Sequence, residues 1–283
     1  MNPISIAVKA GFRRGWIELR QTLTNGQDLF IQFFWPVMTL VALYFMRNGS
    51  FAASGLKLGA LALPGVLGML IAFNGMFGIC QGLTTDREDG TLLRAKATPN
   101  GMVGYLIGKI VMVSGIVLSQ LIMVLAVGAF IIGGVRLGTV GSWMTLIWVL
   151  VLGLLAVLPI GAVLGSIFES PRAIGFISFP IMGLVAISGI FYPMTALPGW
   201  LQGVGQIFPI YWLGLGMRSA LLPDSAVAVE LGHSWRHLET VAILGVWSIA
   251  GLLLAPVVLR RMARRESGSS VAARREKAMA RAY

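Results

Sequence analysis

Residues 84–99 read TTDREDGTLLRAKATP and separate two long apolar runs, residues 58–83 and residues 105–132. Three of the eleven acidic residues of the chain fall within four positions of this segment: Asp86, Glu88 and Asp89. Each apolar run exceeds the roughly 20 residues that a helix needs to cross the hydrocarbon core of a bilayer. The sequence therefore predicts two membrane-spanning helices joined by a short charged segment.

The composition of the whole chain agrees with this interpretation. Of 283 residues, 57% are hydrophobic and 12% are charged, whereas about 25% of the residues of a typical soluble domain are charged. Few charges and several long apolar runs argue against a single soluble domain. They predict an all-α integral membrane protein.

We predict six transmembrane helices in this chain. The two runs beside the charged segment are the second and third of them, and the other four cover residues 29–46, 143–168, 173–192 and 241–259. The chain then divides into an interfacial helix, a six-span transmembrane domain and a basic cytoplasmic tail, over residues 1–28, 29–260 and 261–283.

The predicted interfacial helix has an apolar stripe with residues at spacings of three and four: Ile4, Val8, Phe12, Trp16, Leu19 and Leu23. Four basic residues lie off this stripe: Lys9, Arg13, Arg14 and Arg20. The first turns of a soluble helix would show the same pattern, but a predicted span follows at once. We therefore expect a helix on the membrane surface, with Phe12 and Trp16 towards the lipid interior and Arg13 and Arg20 towards head groups.

A stretch before the last span is too broken to cross a membrane. Gly203, Gly205 and Pro209 divide it into apolar pieces of roughly a dozen residues, a length typical of re-entrant or interfacial segments. We predict an external re-entrant hairpin, whose characteristic residues are Pro193, Leu197, Pro198, Trp200, Leu201 and Pro209.

The distribution of basic residues predicts the orientation of the six spans. With both termini in the cytoplasm, seventeen of the 22 lysines and arginines lie in or next to cytoplasmic segments and five in external ones. Basic residues concentrate on the cytoplasmic side of membrane proteins, so this orientation is preferred and the charged segment is cytoplasmic. A seventh span at residues 210–222 would place the basic tail outside. The net charge of +11 therefore needs no nucleic acid partner.

The middles of the predicted spans contain no ionisable side chain. Proton-driven transporters commonly need such groups at membrane depth, so coupling to an ion gradient is disfavoured. The polar residues within the spans are amides and hydroxyls: Gln32, Asn74, Gln81, Ser114, Ser119, Gln120, Ser178 and Ser188. They either form hydrogen bonds between helices or contact a substrate.

The sequence gives little support to catalysis, nucleotide binding or metal binding by this chain. Residues 104–110 come close to a phosphate-binding loop, but they lack one residue between the glycines, and Ile110 stands where Ser or Thr would coordinate magnesium. His233 and His237 have a spacing that would allow metal binding, but solvated loop histidines are the favoured interpretation. We predict no catalytic residue, metal site or cofactor on this chain. A membrane-embedded enzyme or assembly factor that uses the histidine loop is an alternative hypothesis.

The charged segment itself has the pattern of a turn and a short helix. Thr85 and Glu88 have the spacing of a capping box, and Gly90 suits a corner because glycine tolerates positive φ. We expect Thr91 to cap a short helix over residues 92–97. Leu92 and Leu93 could enter the cleft of a partner, with the acidic residues facing its basic groups and Arg94 and Lys96 its acidic ones. An ordinary solvated loop would fit the spacing equally well.

The sequence DREDGTL at residues 86–92, with Arg94 and Pro99 after it, resembles the cytoplasmic loop of type-2 ABC exporter permeases. In that family, an acidic run, a Gly-Thr pair and a short coupling helix follow the second of six spans. The resemblance extends to the N-terminal helix and to the hairpin over residues 191–209. Leu93 departs from it, because many relatives have Glu at this position.

This resemblance implies a permease half that works with a second permease half, identical or related, and with two separate ABC ATPase subunits in a bacterial inner membrane. ATP and Mg would bind to the ATPase subunits. The positions implied to couple ATP hydrolysis to transport are Asp86, Arg87, Glu88, Asp89, Gly90, Thr91, Leu92 and Arg94.

The cargo is left open by the sequence. The predicted spans offer aromatic surface at Phe33, Phe34, Trp35, Phe73 and Phe77. They offer no fixed charge that would hold a polar head group. We therefore favour a hydrophobic or amphiphilic substrate: a drug, an antibiotic or a lipid. The chain resembles, in size and loop style, the branch of type-2 ABC exporters that exports daunorubicin-like drugs. Export of cell-surface polysaccharide or glycolipid is the alternative. The residues that contact the substrate are unknown from sequence.

Overall fold

The computed structural model describes residues 3–49, 58–168 and 171–265, together with Ser267 and Ser269. Lys57 and the predicted tail beyond Ser269 lie outside the described residues. The helices are α1 (Pro3–Thr24), α2 (Gly26–Met46), α3 (Leu58–Glu88), α4 (Thr91–Lys96), α5 (Gly101–Ile132), α6 (Val140–Ile167), α7 (Pro171–Ala186), α8 (Gly199–Ile207), α9 (Pro209–Leu221) and α10 (His237–Arg265).

Within the described residues, five helices are long and apolar enough to cross a membrane: α2, α3, α5, α6 and α10. They coincide with five of the six predicted spans. The remaining prediction, residues 173–192, corresponds to α7, which ends at Ala186 because a turn with Gly189 at a φ of 65° follows. A helix of 16 residues is about 24 Å long, less than the hydrocarbon thickness of about 30 Å. The count of six spans stays a prediction.

The helices alternate in direction between two ends of the bundle. We call the end at which α3 gives way to α4 the elbow end, and the end at which α3 begins the hairpin end. Near the hairpin end, Gly65 of α3 lies against the carbonyl of Ile190, and the Arg136 amide after α5 donates to Leu221 O at 2.8 Å. The charged segment and the predicted hairpin therefore lie at opposite ends, as the six-span scheme predicted.

Helix α3 forms the centre of the bundle, packed against α5, α6 and α9. Close approach depends on glycines at the crossings. Gly161 and Gly165 of α6 lie against the backbone of Met76 and Cys80, where a Cβ atom would have no room. Pairs of small residues four positions apart allow such contacts between helices. The structure thus identifies α3 of the same chain as the helix that this pair packs against.

Two of the amides inside the bundle, Asn74 and Gln120, are structural. Pro36 of α2 has no backbone N–H, so the Gln32 carbonyl one turn earlier loses its helical donor. The Gln120 side chain of α5 donates to this carbonyl at 2.8 Å and accepts from Asn74 of α3 at 2.7 Å. These two bonds confirm hydrogen bonding between helices for Asn74 and Gln120. Ser119 and Ser188 instead donate to carbonyls of the preceding turn.

The predicted hairpin consists of one exposed and one buried helix. Helix α8 leaves Trp200 70% exposed, whereas α9 is packed among α3, α6 and α10 with most of its side chains buried. The prolines of this region begin its elements: Pro193 precedes a 3-10 turn at Met194–Ala196, Pro198 caps α8, and Pro209 is the first residue of α9. Re-entry of this region into a membrane stays a prediction.

A buried ion pair fixes the last turn of α9. The Arg218 side chain binds both carboxylate oxygens of Glu230, at 2.5 Å from Nε and 3.2 Å from Nη2, and donates to Gly189 O at 3.1 Å. Both residues are buried. This pair is not predictable from the sequence, because the local pattern around Arg218 is that of an ordinary external charge.

We predict that Arg218→Met destabilises the protein by about 3–5 kcal/mol, since it leaves the Glu230 carboxylate buried without its partner. The measurement is thermal unfolding of the purified chain in detergent. Arg136→Met is the matched control, because its pair with Asp224 at 3.0 Å is exposed and contributes at most about 1 kcal/mol. Equal losses in the two variants would contradict the prediction.

Candidate functional site

The charged segment folds into the predicted turn and short helix, with two corrections. Helix α3 continues through Glu88, so the predicted capping box is wrong: residues 85–88 form the last turn of a helix and not the first. Gly90 has a φ of 78° and precedes α4, which confirms the predicted corner. Asp89 accepts from the Thr91 amide at 2.8 Å, so Gly90, and not Thr91, occupies the N-cap position.

Asp86 faces the interior of the bundle. Its carboxylate accepts a hydrogen bond from Tyr105 Oη at 2.6 Å and lies 2.9 Å from Lys109 Nζ, both on α5. Asp86 is only 7% exposed. A buried carboxylate is stable when it is paired and hydrogen-bonded, and these contacts fasten the end of α3 to the start of α5.

The same lysine connects to α1. Lys109 Nζ lies 3.5 Å from Glu18, whose other oxygen accepts from Arg14 Nε at 2.7 Å. Burial alone lowers the pKa of Arg14, but the hydrogen bond to Glu18 and the negative charges of Glu18 and Asp86 raise this pKa above its usual value. We call Arg14, Glu18, Asp86, Tyr105 and Lys109 the charge cluster. It links α3 and α5 to α1, whose Glu18 is 91 positions from Lys109 in the sequence.

Arg87 points towards a different helix. Its Nη1 donates to Phe168 O at 2.8 Å and to Ser166 O at 3.3 Å, at the C-terminal end of α6. The last carbonyls of a helix have no helical donors, and a cation there also interacts favourably with the helix dipole. Asp86 and Arg87, adjacent in sequence, therefore fix the last turn of α3 to two different helices.

Helix α1 packs on α5 mainly through glycines, and Leu19 is the one buried residue of its apolar stripe. Gly11 and Gly15 of α1 lie against the backbone of Gly104 and Gly108 of α5, and none of the four has room for a side chain without displacement. On the predicted stripe, Phe12 and Trp16 are 57% and 58% exposed, and only Leu19 is buried. Arg13 and Arg20 are also exposed. Apart from Leu19, this part of the stripe is free of the bundle, as a membrane-facing stripe would be.

We call the turn from α3 into α4 the elbow. Its outer surface is the part of the site that a partner can reach. Arg94 and Lys96 are exposed and Glu88 and Leu93 are half-buried, whereas Leu92 is 1% exposed within the core. The expectation that Leu92 enters a partner's cleft is therefore wrong. A groove of about 600 Å³ runs between α1, α4 and α5, with Ile6, Ala10, Arg94 and Thr98 among its lining residues.

The structure brings together some predicted residues and adds others. Residues 86–94 form one unit, which also contains Tyr105, Lys109, Glu18 and Arg14, none of them predicted as site residues. One signal was available, since Lys109 interrupts an apolar run and a charge there requires a partner. Elsewhere, His233 and His237 are exposed, and the described residues contain no group of His, Cys, Asp and Glu that could hold a metal.

Comparison with known proteins identifies the family. The profile described as "ABC-2 family transporter protein" matches residues 22–259. The chain belongs to the ABC-2 transporter family. Among curated proteins, this ABC-2 chain is 24% identical over 185 residues to the "Probable multidrug ABC transporter permease YbhR" of Escherichia coli, from strain K12 and from O157:H7.

The aligned region covers 65% of this chain and 49% of each YbhR, so the chain spans about half the length of the curated relatives it matches. The ABC-2 chain is a multi-pass membrane protein of a transporter family.

Proposed function

We propose that this chain is the transmembrane permease subunit of an ATP-driven exporter in a bacterial plasma membrane, and that it exports a hydrophobic or amphiphilic substrate such as a drug, an antibiotic or a lipid. The ABC-2 family and the multidrug name of the relatives support this proposal. The observation that carries it is the charge cluster, because it joins the helices next to the elbow into one unit that a partner can push.

In this proposal α7 is a sixth span, and the elbow end with both termini faces the cytoplasm. Helix α4 is the coupling helix, α1 is the interfacial helix, and α8 with α9 forms an external re-entrant hairpin. The exposed Phe12 and Trp16 support contact of α1 with lipid. A second permease half, identical or related, completes the transporter.

Two ABC ATPase subunits dock at the elbow end, one on each permease half, and they hold ATP and Mg. The groove between α1 and α4 receives one of them, and the exposed Arg94 and Lys96 face its acidic groups. Asp86, Arg87 and Leu92 act from the inside, since they fix α4 and the end of α3 to the bundle. Closure of the ATPase dimer then moves α1, α3 and α5 together.

We predict that Arg94→Glu lowers co-purification of the co-expressed ATPase about tenfold, a change of about 1.4 kcal/mol in binding free energy. Arg94 is exposed and its contact is local, with Nη2 donating to Thr91 at 2.9 Å, so the chain should still fold. The measurements are pull-down yield and ATP hydrolysis by the complex. Arg47→Glu, at the hairpin end, is the control and should leave both unchanged. Full co-purification of Arg94→Glu, or export that survives ATP depletion, would count against the proposal.

A further inference from the structure

A cleft of about 720 Å³ lies between α2, α3, α5 and α7. Pockets for drug-sized molecules commonly measure about 300–1,000 Å³. Carboxylates, amides and hydroxyls from several helices line this cleft together with aromatic side chains. Acyl chains of a surrounding lipid would leave such polar groups without partners at considerable cost, so water or a polar ligand must fill part of it.

The chemistry of the cleft changes along α3. Phe73, Phe77, Gln81 and Thr85 lie four positions apart on one face and all line the cleft. From Phe73 to Thr85 the helix rises about 18 Å. The rings of Phe73 and Phe77 are stacked, with centroids 4.3 Å apart. The cleft is thus aromatic towards the middle of the bundle and polar towards the elbow end.

Charge at the polar end is negative. Asp28, Asp86 and Lys109 are the charged lining residues, so the lining has one excess negative charge in a chain of net charge +11. Lys109 already binds Asp86 and Glu18, which leaves it no surplus charge for an anion. The half-buried Asp28 carboxylate has no hydrogen-bond or ion-pair partner among the described residues. Asp28 lies one residue before the predicted first span, so this charge comes from the end of α2 and not from the middle of a span.

The polar groups that line the cleft differ in whether they are available to bind a ligand. Asn74 and Gln120 bind each other and the Gln32 carbonyl, so their role is structural. Gln81 is exposed to the cleft, and no described residue bonds to its side-chain amide. A ligand in the cleft would therefore find three groups available for contact: the Phe73–Phe77 rings, the Gln81 amide and the Asp28 carboxylate.

We infer that this cleft binds an amphiphilic organic cation, with Asp28 as the counter-ion and the stacked rings of Phe73 and Phe77 in contact with its apolar body. Aromatic faces attract cations as well as apolar groups, and an unpaired carboxylate in a half-buried site attracts positive charge more strongly than one in open water. The inference rests on the proposed export function in one respect: the bound cation is the cargo.

The test uses two ions of nearly equal size and opposite charge. Tetraphenylphosphonium and tetraphenylborate are titrated by equilibrium dialysis into the purified full-length chain in a neutral detergent, without ATPase. Asp28→Asn should weaken phosphonium binding about tenfold and leave borate binding unchanged or tighter. Comparing each ion between variant and wild type cancels its partition into detergent. Asp224→Asn, which removes an exposed carboxylate at the hairpin end, should change neither affinity.

The aromatic part is tested separately with Phe77→Leu, for which we expect about fivefold weaker phosphonium binding. Phe45→Leu on α2 is the control, because Phe45 is 78% exposed and does not line the cleft. Equal effects of Asp28→Asn on both ions, or phosphonium affinity that no cleft variant alters, would overturn the inference. If a second copy of the chain occupied the cleft, no cleft variant would alter the phosphonium affinity, and the inference would be overturned in the same way.

These outcomes are independent of ATPase docking. A chain that binds phosphonium through Asp28 but co-purifies no ATPase would contradict the proposed function and keep the cation site. A chain that assembles with its ATPase, but in which Asp28→Asn affects phosphonium and borate binding equally, would contradict the cation site and keep the proposed function.

Discussion

Gly11→Leu is expected to separate α1 from α5 and to destabilise the chain by about 3 kcal/mol or more. A Cβ atom on Gly11 would meet the backbone of Gly104, with its carbonyl oxygen nearest. Backbone cannot change rotamer to make room, so the helices themselves must move apart, and overpacking of this kind typically costs about 1–3 kcal/mol even where side chains can adjust. The measurement is thermal unfolding in detergent, together with the yield of the monodisperse chain.

The matched control for this prediction is Gly245→Leu on α10, because nothing lies within 4 Å of the position that its Cβ would take. Both variants introduce the same side chain and the same gain in helix propensity. If the two unfold at the same temperature, the glycine contact between α1 and α5 does not hold these helices together. A variant that folds but loses its ATPase would show that α1 is needed at the docking groove.

Lys109→Met is expected to have the second large effect, a loss of about 3–5 kcal/mol. It removes the cation 2.9 Å from Asp86 and 3.5 Å from Glu18, and leaving a buried carboxylate unpaired has a cost of this size. If the variant folds and assembles with its ATPase, the complex should hydrolyse ATP without transport, because Lys109 would no longer join α1 and α3 through α5. Unfolding temperature and the ratio of ATP hydrolysed to substrate exported are the measurements.

A double-mutant cycle separates the ion pair from general disruption. Asp86→Asn keeps the side-chain shape and removes the charge that Lys109 neutralises, so in the double variant the loss should be clearly smaller than the sum of the two single losses. Glu88→Gln, two residues away and half-buried, is the control and should add independently to Lys109→Met. Additive losses for Asp86 and Lys109 would rule out the coupling that the charge cluster requires.

Residues 85–88 show where local pattern was insufficient. Their capping-box spacing matches the start of a helix, but the same residues form the end of α3. The tertiary contacts decide between the two, because Asp86 and Arg87 satisfy groups on α5 and α6 only when the helix continues through them. Gly90 was predictable, since a positive φ is a local property that glycine alone adopts without strain.

Helix α1 illustrates a second limit. Its apolar stripe was visible in the sequence, yet glycines provide the surface that packs on α5. In water an apolar stripe would be buried against protein. In a membrane, however, lipid can cover the stripe as well as protein can. Small residues therefore decide which face approaches a neighbour, and they leave no apolar signal in the sequence.

The sequence by itself determined the membrane class, the positions of five long helices and the turn at Gly90, because span length, hydropathy and backbone preference are local properties of the chain. Only the tertiary structure decided which groups meet. Glu18 and Lys109 are 91 positions apart, and the pairs Asp86–Lys109 and Arg218–Glu230 and the cleft beside Asp28 exist only once the helices are packed. Burial makes these contacts strong, and burial is a property of the assembled bundle, which no segment possesses alone.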